Sequence, residues 1–404
     1  MYDVEQIRKD FPVLGRQING KPNTFLDSAA SAQKPQCVID RIVDVYRSEY
    51  ANVHRGSYFL SEEITSEYEK ARGTVRRFLN ARSDSEIVFT RNATESINLV
   101  ASSFGRKFLT KIDEVLISEA EHHANLVPWQ VLRDEIGFEL KIFKINDDGS
   151  FNWEEYCKNL NGNTKLVAVT GMSNVLGTVF PLKKMIEEAH RVGAKVLVDG
   201  CQYVVHQPVD VQDLDCDFLA FSGHKTYGPS GIGVLYGKRQ LLEAMPPYQF
   251  GGDMVNVVTY QTTTYDVPPA RFEAGTPAIV QAIGLGTALD YMMNLGMENV
   301  YAHETEMTAY MRGRLREVDG LTEVGTAEGK GGVFAIDIDG IHPQDLAFIL
   351  DKEGVAVRVG HHCAAPLVRR MGYESLARAS LGLYTDRDDV DRFIAALQKA
   401  KTFF

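Results

Sequence analysis

Short apolar runs that alternate with helical patterns constrain the fold of this chain more than any other feature. The runs are rich in Val, Ile and Leu and cover residues 86–90, 115–118, 166–170, 195–199, 218–222 and 233–236. Between them, the apolar residues of 95–104 and of 181–192 fall on one face of a helix. This alternation predicts an α/β fold, in which helices cover both faces of a mostly parallel sheet. Such folds bind ligands in the loops beyond the carboxyl ends of the strands.

The pattern changes near residue 286. A long helical pattern runs from 286 to 316, and a strand at 333–338 and helices at 343–352 and 387–400 follow it. A chain of 404 residues is long enough for two domains. We predict a large α/β domain over residues 20–285 and a smaller α+β domain formed by residues 1–19 together with 286–404.

Charge and cysteine content exclude several classes of function. The chain has 43 basic and 54 acidic residues, a net charge of -11, which repels the phosphates of nucleic acids. No apolar run reaches the roughly 20 residues of a membrane helix, and the opening residues lack the apolar core of a signal peptide. The five cysteines are scattered, which favours a reducing compartment over disulfides. We expect a cytoplasmic protein with neither nucleic acid nor membrane as a partner.

The loop that follows residues 218–222 is the most informative stretch of the sequence. It begins Ser222-Gly223-His224-Lys225 and ends Gly231-Ile232-Gly233. A nucleotide-binding P-loop is excluded because His224 stands where that motif has Gly directly before its Lys. A lysine in a buried, Gly-rich loop suits imine formation with a carbonyl group, since desolvation favours the free amine. The alternative is an ordinary surface lysine.

Polar residues also follow three other predicted strands. Asp199 ends a buried run, where its carboxylate needs a cation, either a protonated ring nitrogen of a ligand or a structural ion pair. Asn174 lies in the loop after 166–170 and is either a ligand contact or a turn residue. Thr94 lies near the start of a predicted helix, where it either binds an anion or serves as an ordinary N-cap.

Histidines form the remaining candidate sites. His122 and His123 follow the run 115–118, where a ring could stack on a planar cofactor and shuttle a proton. His361, His362 and Cys363 raise the question of zinc. No second cysteine lies at ligand spacing, so we predict no metal.

Together these motifs resemble the class V aminotransferase branch of the fold type I pyridoxal phosphate enzymes. The motifs are Asn92-Ala93-Thr94, His122-His123, Asn174, Asp199-Gly200-Cys201-Gln202 and Ser222-Gly223-His224-Lys225. Two further segments, 271–277 (RFEAGTP) and 358–366 (RVGHHCAAP), are similar to the group II, SufS-type cysteine desulfurases. The resemblance implies a mostly parallel, seven-stranded sheet flanked by helices, with a smaller α+β domain.

The resemblance also implies the cofactor, pyridoxal 5'-phosphate, and the residues that bind it. These are Ala93, Thr94, His122, Asp199, Gln202, Ser222, His224, Lys225 and Thr276. By this resemblance Lys225 attaches the cofactor and moves the α-proton, and His122 stacks on the ring and acts as an acid. Thr276 reaches the phosphate of a neighbouring subunit, so a homodimer is expected.

The resemblance finally implies the reaction. Asn174, Arg358 and Arg378 bind the substrate L-cysteine, and Cys363 takes its sulfur as a persulfide and leaves L-alanine. The sulfur then passes to a small SufE- or SufU-like acceptor protein for iron-sulfur cluster assembly. Two alternatives stay open: a lyase that prefers selenocysteine, and a non-catalytic scaffold that retains the fold.

Overall fold

A seven-stranded sheet forms the centre of the computed structural model, which describes residues 2–404. Its strands are β1 (Ile87–Thr90), β2 (Glu114–Ser118), β3 (Glu139–Phe143), β4 (Thr164–Thr170), β5 (Lys195–Asp199), β6 (Phe218–Ser222) and β7 (Gly233–Gly237). They lie in the order β1-β7-β6-β5-β4-β2-β3. Only β7 is antiparallel to its neighbours, and the other four pairs are parallel. The predicted α/β architecture is therefore confirmed.

Helices cover both faces of this sheet. Alternate residues of a strand enter different apolar layers, as Val196 and Val198 do on one side and Leu197 does on the other. The first layer contains residues of the helices Phe59–Leu79, Trp153–Asn159, Leu182–Arg191, Tyr203–His206, Val211–Leu214 and Ile279–Leu295. The second contains residues of Ala93–Val100, Val127–Ile136 and Arg239–Ala244. Burial on both faces explains why the strands are continuous apolar runs.

A second, antiparallel sheet is built from the C-terminal part of the chain. Its strands are β8 (Leu321–Val324), β9 (Val333–Ile338), β10 (Arg358–Gly360) and β11 (Leu376–Ser380), in the order β8-β9-β11-β10. The helices Met297–Leu315, Pro343–Lys352, Ala365–Arg370 and Arg387–Ala400 lie in the same part of the chain. The N-terminal helix Val4–Lys9 joins this region through Arg8, which forms ion pairs with Asp386 and Asp389.

The long helical pattern predicted from 286 to 316 is helical in the structure, with one interruption. Two helices, Ile279–Leu295 and Met297–Leu315, meet at Gly296. Gly296 has φ +82°, a left-handed conformation that glycine adopts without strain and other residues rarely take. The chain therefore changes direction where the apolar pattern continues.

Shorter elements complete the fold. They are the helices Gln36–Asp44 and Arg106–Phe108, the strand pair Gln17–Ile18 and Lys21–Pro22, the hairpin Val255–Val258 and Thr263–Tyr265, and the strand Thr24–Phe25, which pairs with Val355–Ala356. Across residues 2–404, none of the helices combines the length and the apolar character that crossing a membrane requires.

Candidate active site

A cavity of about 200 Å³ lies beyond the carboxyl ends of β4, β5 and β6. This is the edge where α/β sheets bind ligands. Every cofactor-binding, substrate-binding or catalytic residue that the resemblance implies, apart from Thr276, lines it: Ala93, Thr94, His122, Asn174, Asp199, Gln202, Ser222, His224, Lys225, Arg358, Cys363 and Arg378. Residues far apart in the sequence therefore share one site. The candidate histidines His123 and His361 do not line this cavity.

Lys225 lies half-buried in this cavity on a loop that is firmly held. The carbonyl of the preceding residue, His224, accepts hydrogen bonds from Ala32 N–H (3.1 Å), Lys34 Nζ (2.9 Å) and Ser31 Oγ (3.3 Å). Within residues 2–404, Lys225 Nζ forms no ion pair with a carboxylate. The amine is thus presented on a fixed backbone and free of a structural partner.

Asp199 supplies a buried carboxylate without a cationic partner. Its side chain is only 4% exposed, and its Oδ1 accepts a hydrogen bond from Cys201 N–H at 3.0 Å. No Lys, Arg or His in the described chain forms an ion pair with it, so the structural ion pair considered above is absent. A carboxylate of this kind fits a protonated ring nitrogen, because an unpaired buried charge is costly.

The start of the helix Ala93–Val100 also lines the cavity. Asn92 caps this helix, because its Oδ1 accepts from Glu95 N–H at 2.9 Å. Thr94 is therefore not the N-cap, and its side chain is exposed. Ala93 N–H donates to Ser222 Oγ at 2.9 Å, which ties the helix start to the loop of Lys225. A helix N-terminus with adjacent hydroxyl groups suits a phosphate.

His122 lines the same cavity with a defined tautomer. Its Nδ1 accepts a hydrogen bond from Ala124 N–H at 3.0 Å, so the ring proton of the neutral form is on Nε2. Burial, and next the charge of Lys225, lower the pKa of His122 to about 4. The ring is consequently neutral at neutral pH. Burial lowers the pKa of His224 to about 4 as well.

Arg378 lines the cavity and is only 2% exposed. Its Nη1 donates to the carbonyl of Asn174 at 2.9 Å and its Nη2 pairs with Asp27 at 3.1 Å, while its Nε is buried without a partner. Asp27 was not predicted from the sequence, where its only signal is its place directly after the apolar pair Phe25 and Leu26. An unsatisfied donor on a buried guanidinium suits a carboxylate ligand.

Cys363 lies on a backbone that needs support. His362 and Cys363 have φ +52° and +56°, and a left-handed conformation costs about 1–2 kcal/mol per non-glycine residue. The carbonyl of Cys363 accepts from His123 N–H at 2.7 Å, and that of His362 accepts from Asn174 Nδ2 at 2.7 Å. The Cys363 side chain is exposed. These contacts hold an accessible thiol at the edge of the cavity.

Cys363 also borders a second hollow of about 370 Å³. The helix Val127–Ile136 provides its apolar wall through Val127, Val131 and Leu132. The thiol therefore lies between two openings, one that contains Lys225 and one that does not.

Thr276 lies apart from the other predicted residues. It lines a separate hollow of about 270 Å³ with Tyr68 and Glu273. Within one chain it does not join the cavity of Lys225. In the part of the chain that the structure describes, no three His, Cys, Asp or Glu side chains are grouped to hold a metal ion.

Glu121, beside His122, is a buried acid that the sequence analysis missed. Its carboxyl group accepts from Asn125 Nδ2 (2.7 Å), from Thr170 N–H (3.0 Å) and from Ser118 Oγ. Burial is the main cause that raises the pKa of Glu121, to about 8. The folded protein thus retains a proton on Glu121 that the unfolded chain releases at neutral pH.

Because Glu121 retains this proton on folding, the free energy of unfolding should depend on pH. Because the pKa is higher in the folded state, stability falls as the pH rises from the unfolded pKa towards the folded one. Between about pH 6 and pH 8 we expect the free energy of unfolding of the wild type to fall by about 2 kcal/mol relative to that of Glu121→Gln. Thermal or urea unfolding of both proteins across this range measures the difference. Parallel pH profiles of the two proteins would contradict the prediction.

Comparisons with known proteins agree with this geometry. A family model described as aminotransferase class-V matches residues 24–393. The chain is 51% identical over 399 residues to the cysteine desulfurase of Pectobacterium atrosepticum, a match that covers 98% of each chain.

Solved structures have the same fold over the whole chain. The cysteine desulfurase CsdA (S-sulfonic acid) from Escherichia coli superposes with a TM-score of 0.93 at 37% identity, covering 100% of both chains. A mutant of C-DES with glycine covalently linked to its PLP cofactor has a TM-score of 0.84 at 20% identity, covering 97% of this chain and 98% of that one. At that identity the second match supports the fold alone.

Proposed function

Because the chain belongs to the class-V aminotransferase family, we propose that it is an enzyme that binds pyridoxal phosphate and converts L-cysteine to L-alanine, with Cys363 as the sulfur acceptor. The near-complete match to curated cysteine desulfurases supports this activity. The observation that carries the assignment is that Lys225 and Cys363 line the same cavity.

The cavity residues fit pyridoxal phosphate. Asp199 would meet the ring nitrogen with its unpaired carboxylate, and His122 would cover the ring. Thr94, Ser222, His224 and the amide of Ala93, which donates to Ser222 Oγ in this structure, would hold the phosphate at the helix start, with Thr276 contributed by a second copy. Gln202, whose amide donates to Ala29 O at 2.8 Å in this structure, would bind the phenolic oxygen.

Other residues bind the substrate and move its proton. Arg378, with Asn174 and Arg358 beside it, clamps the carboxylate of L-cysteine. When bound, pyridoxal phosphate stabilises negative charge at the substrate's α-carbon. Lys225 would hold the cofactor through its amine and would move the α-proton of the substrate. His122 would act as the acid through its Nε2, and because its ring is neutral in this structure it must take up a second proton before it can release one.

The sulfur transfer is balanced without an external oxidant. The thiolate of Cys363 attacks the substrate sulfur, so one S–S bond forms and one C–S bond breaks. The substrate carbon keeps the electron pair of the broken bond and takes a proton. The products are L-alanine and a persulfide on Cys363.

Mass spectrometry after treatment with L-cysteine tests this assignment. We expect one added sulfur on Cys363, because its thiol is exposed at the cavity edge. Cys201 serves as the internal comparison, since it lines the same cavity but burial raises the pKa of its thiol. A persulfide on Cys201 in place of Cys363 would overturn the choice of nucleophile.

The two alternatives from the sequence lead to different measurements. A selenocysteine lyase would depend less on Cys363, so turnover of the two amino acids in the wild type and in Cys363→Ala separates it from a desulfurase. A non-catalytic scaffold would not bind the cofactor. The presence of both Lys225 and Asp199 in the cavity argues against a scaffold.

Partners and location follow from the same proposal. The active unit is a homodimer, because Thr276 lies outside the cavity of its own chain. The sulfur passes to a small SufE- or SufU-like acceptor protein for iron-sulfur cluster assembly. The location is cytoplasmic, which suits five free cysteines and a persulfide that must return to a thiol.

The domain division also remains a proposal. Residues 20–285 include the seven-stranded sheet, and residues 286–404 include the four-stranded sheet with an apolar cluster of its own. The ion pairs of Arg8 support the addition of residues 1–19 to the second domain. By this division β10 and β11 carry Arg358 and Arg378 on the small domain, which also contributes the Cys363 loop.

A further inference from the structure

We infer that His123 is a positioning residue that clasps the Cys363 loop and holds its thiol where sulfur is transferred; this inference rests on the proposed function. His123 contacts the loop at two points. Its N–H donates to the carbonyl of Cys363 at 2.7 Å, and its Nε2 accepts from Ala365 N–H at 3.1 Å. The two contacts lie on either side of Ala364, directly after the reactive residue.

The loop needs such a clasp because its backbone is unfavourable. Consecutive left-handed residues, His362 and Cys363, persist only when surrounding contacts over-determine them. Asn174 holds the carbonyl before Cys363, and His123 holds the backbone at and after it. The Asn174 side chain comes from the loop after β4, and His123 comes from the loop after β2. The thiol is therefore positioned from two neighbouring strands of the large sheet.

The clasp has a protonation requirement. Nε2 of His123 accepts a hydrogen bond, so the neutral ring carries its proton on Nδ1, and protonation of Nε2 would break the contact to Ala365. The ionisable groups nearby are His122 on the same loop, His361 and Cys363 on the clasped loop, and Arg106 across the groove. Burial and His361 hold the pKa of His123 below its ordinary value. The contact is therefore intact at neutral pH and is lost on acidification.

Hydrogen exchange of the Ala365 amide reports the clasp directly and needs no activity. In His123→Ala we expect this amide, the first of the helix Ala365–Arg370, to exchange about fivefold faster, because one part-buried hydrogen bond is removed. His123→Gln places an amide oxygen near the position of Nε2 and should restore slow exchange. His361→Ala is the matched control, since this exposed histidine on the same loop has no side-chain contact to Ala365.

Single-turnover persulfide formation on Cys363 links the clasp to sulfur transfer. We expect His123→Ala to slow it about fivefold or more, with cofactor loading unchanged, and His123→Gln to restore it. The rate of persulfide formation in the wild type should fall at acid pH. The ratio of this rate to the rate in His123→Gln isolates the part of the fall that protonation of His123 causes. His361→Ala should keep the wild-type rate.

Three results would overturn the inference: unchanged exchange in His123→Ala, faster exchange with an unchanged rate of persulfide formation, or no difference between the pH profiles of the wild type and His123→Gln. If the wild type forms no persulfide on Cys363, the proposed function fails instead. In that case the exchange of Ala365 still decides whether the clasp exists.

Discussion

Lys225→Ala is expected to lower the release of L-alanine from L-cysteine by at least about 10³-fold, because one amine both attaches the cofactor and moves the α-proton. The fold should survive, since the loop is held through the carbonyl of His224 and not through the Lys225 side chain. Alanine release, measured with cofactor and a reductant in excess, gives the size of the effect. Circular dichroism confirms that the variant is folded.

Lys225→Arg is the matched variant because it keeps the positive charge beside His122 but cannot attach the cofactor through a free amine. It should be as inactive as the alanine variant. Borohydride should bleach the absorbance of the imine between cofactor and lysine, which is expected in the wild type alone. A Lys225→Ala protein that retains a tenth of the wild-type rate would show that another group carries the proton.

Cys363→Ala is expected to lower turnover of L-cysteine by at least about 10²-fold while it leaves cofactor binding intact. The thiol lies at the cavity edge and is exposed, so its removal takes away the sulfur acceptor without opening a buried hole. Sulfide and alanine release measure the loss, and cofactor absorbance measures retention of the site.

Cys37→Ala is the control for this substitution. Cys37 is the other exposed cysteine and does not line the cavity. Its replacement should leave turnover at the wild-type level, which separates loss of the acceptor from loss of any accessible thiol. Full turnover of L-cysteine by Cys363→Ala would contradict the proposed mechanism.

Strands buried on both faces are the part of the fold that sequence patterns reveal best. Six of the seven strands of the large sheet are continuous apolar runs, whereas β3 at the edge mixes exposed and buried residues and was missed. A strand whose outer residues face solvent carries charges, as Glu139 and Lys141 do. An edge strand that faces solvent therefore lacks the signal, whereas β1 at the opposite edge is buried along its whole length and keeps it.

The cavity could be predicted from its loops, but its supporting contacts could not. Position after a parallel strand placed Asp199, Asn174 and Lys225 at one edge of the sheet. The pairing of Asp27 with Arg378 joins residues 351 positions apart, and the contact of His123 with Ala365 joins residues 242 positions apart. Neither has a local pattern, because only the packing of the two sheets brings these residues together.

The placement of Cys363 between two hollows has a consequence for the order of events in a catalytic cycle. Sulfur can arrive from the side of Lys225 and depart on the side of Val131, so the donor and the acceptor do not compete for one entrance. Cys363 thus receives sulfur through one hollow and gives it up through the other. The consequence is that unloading of Cys363 does not require the amino acid site to be emptied first, because the two hollows have different linings on either side of this residue.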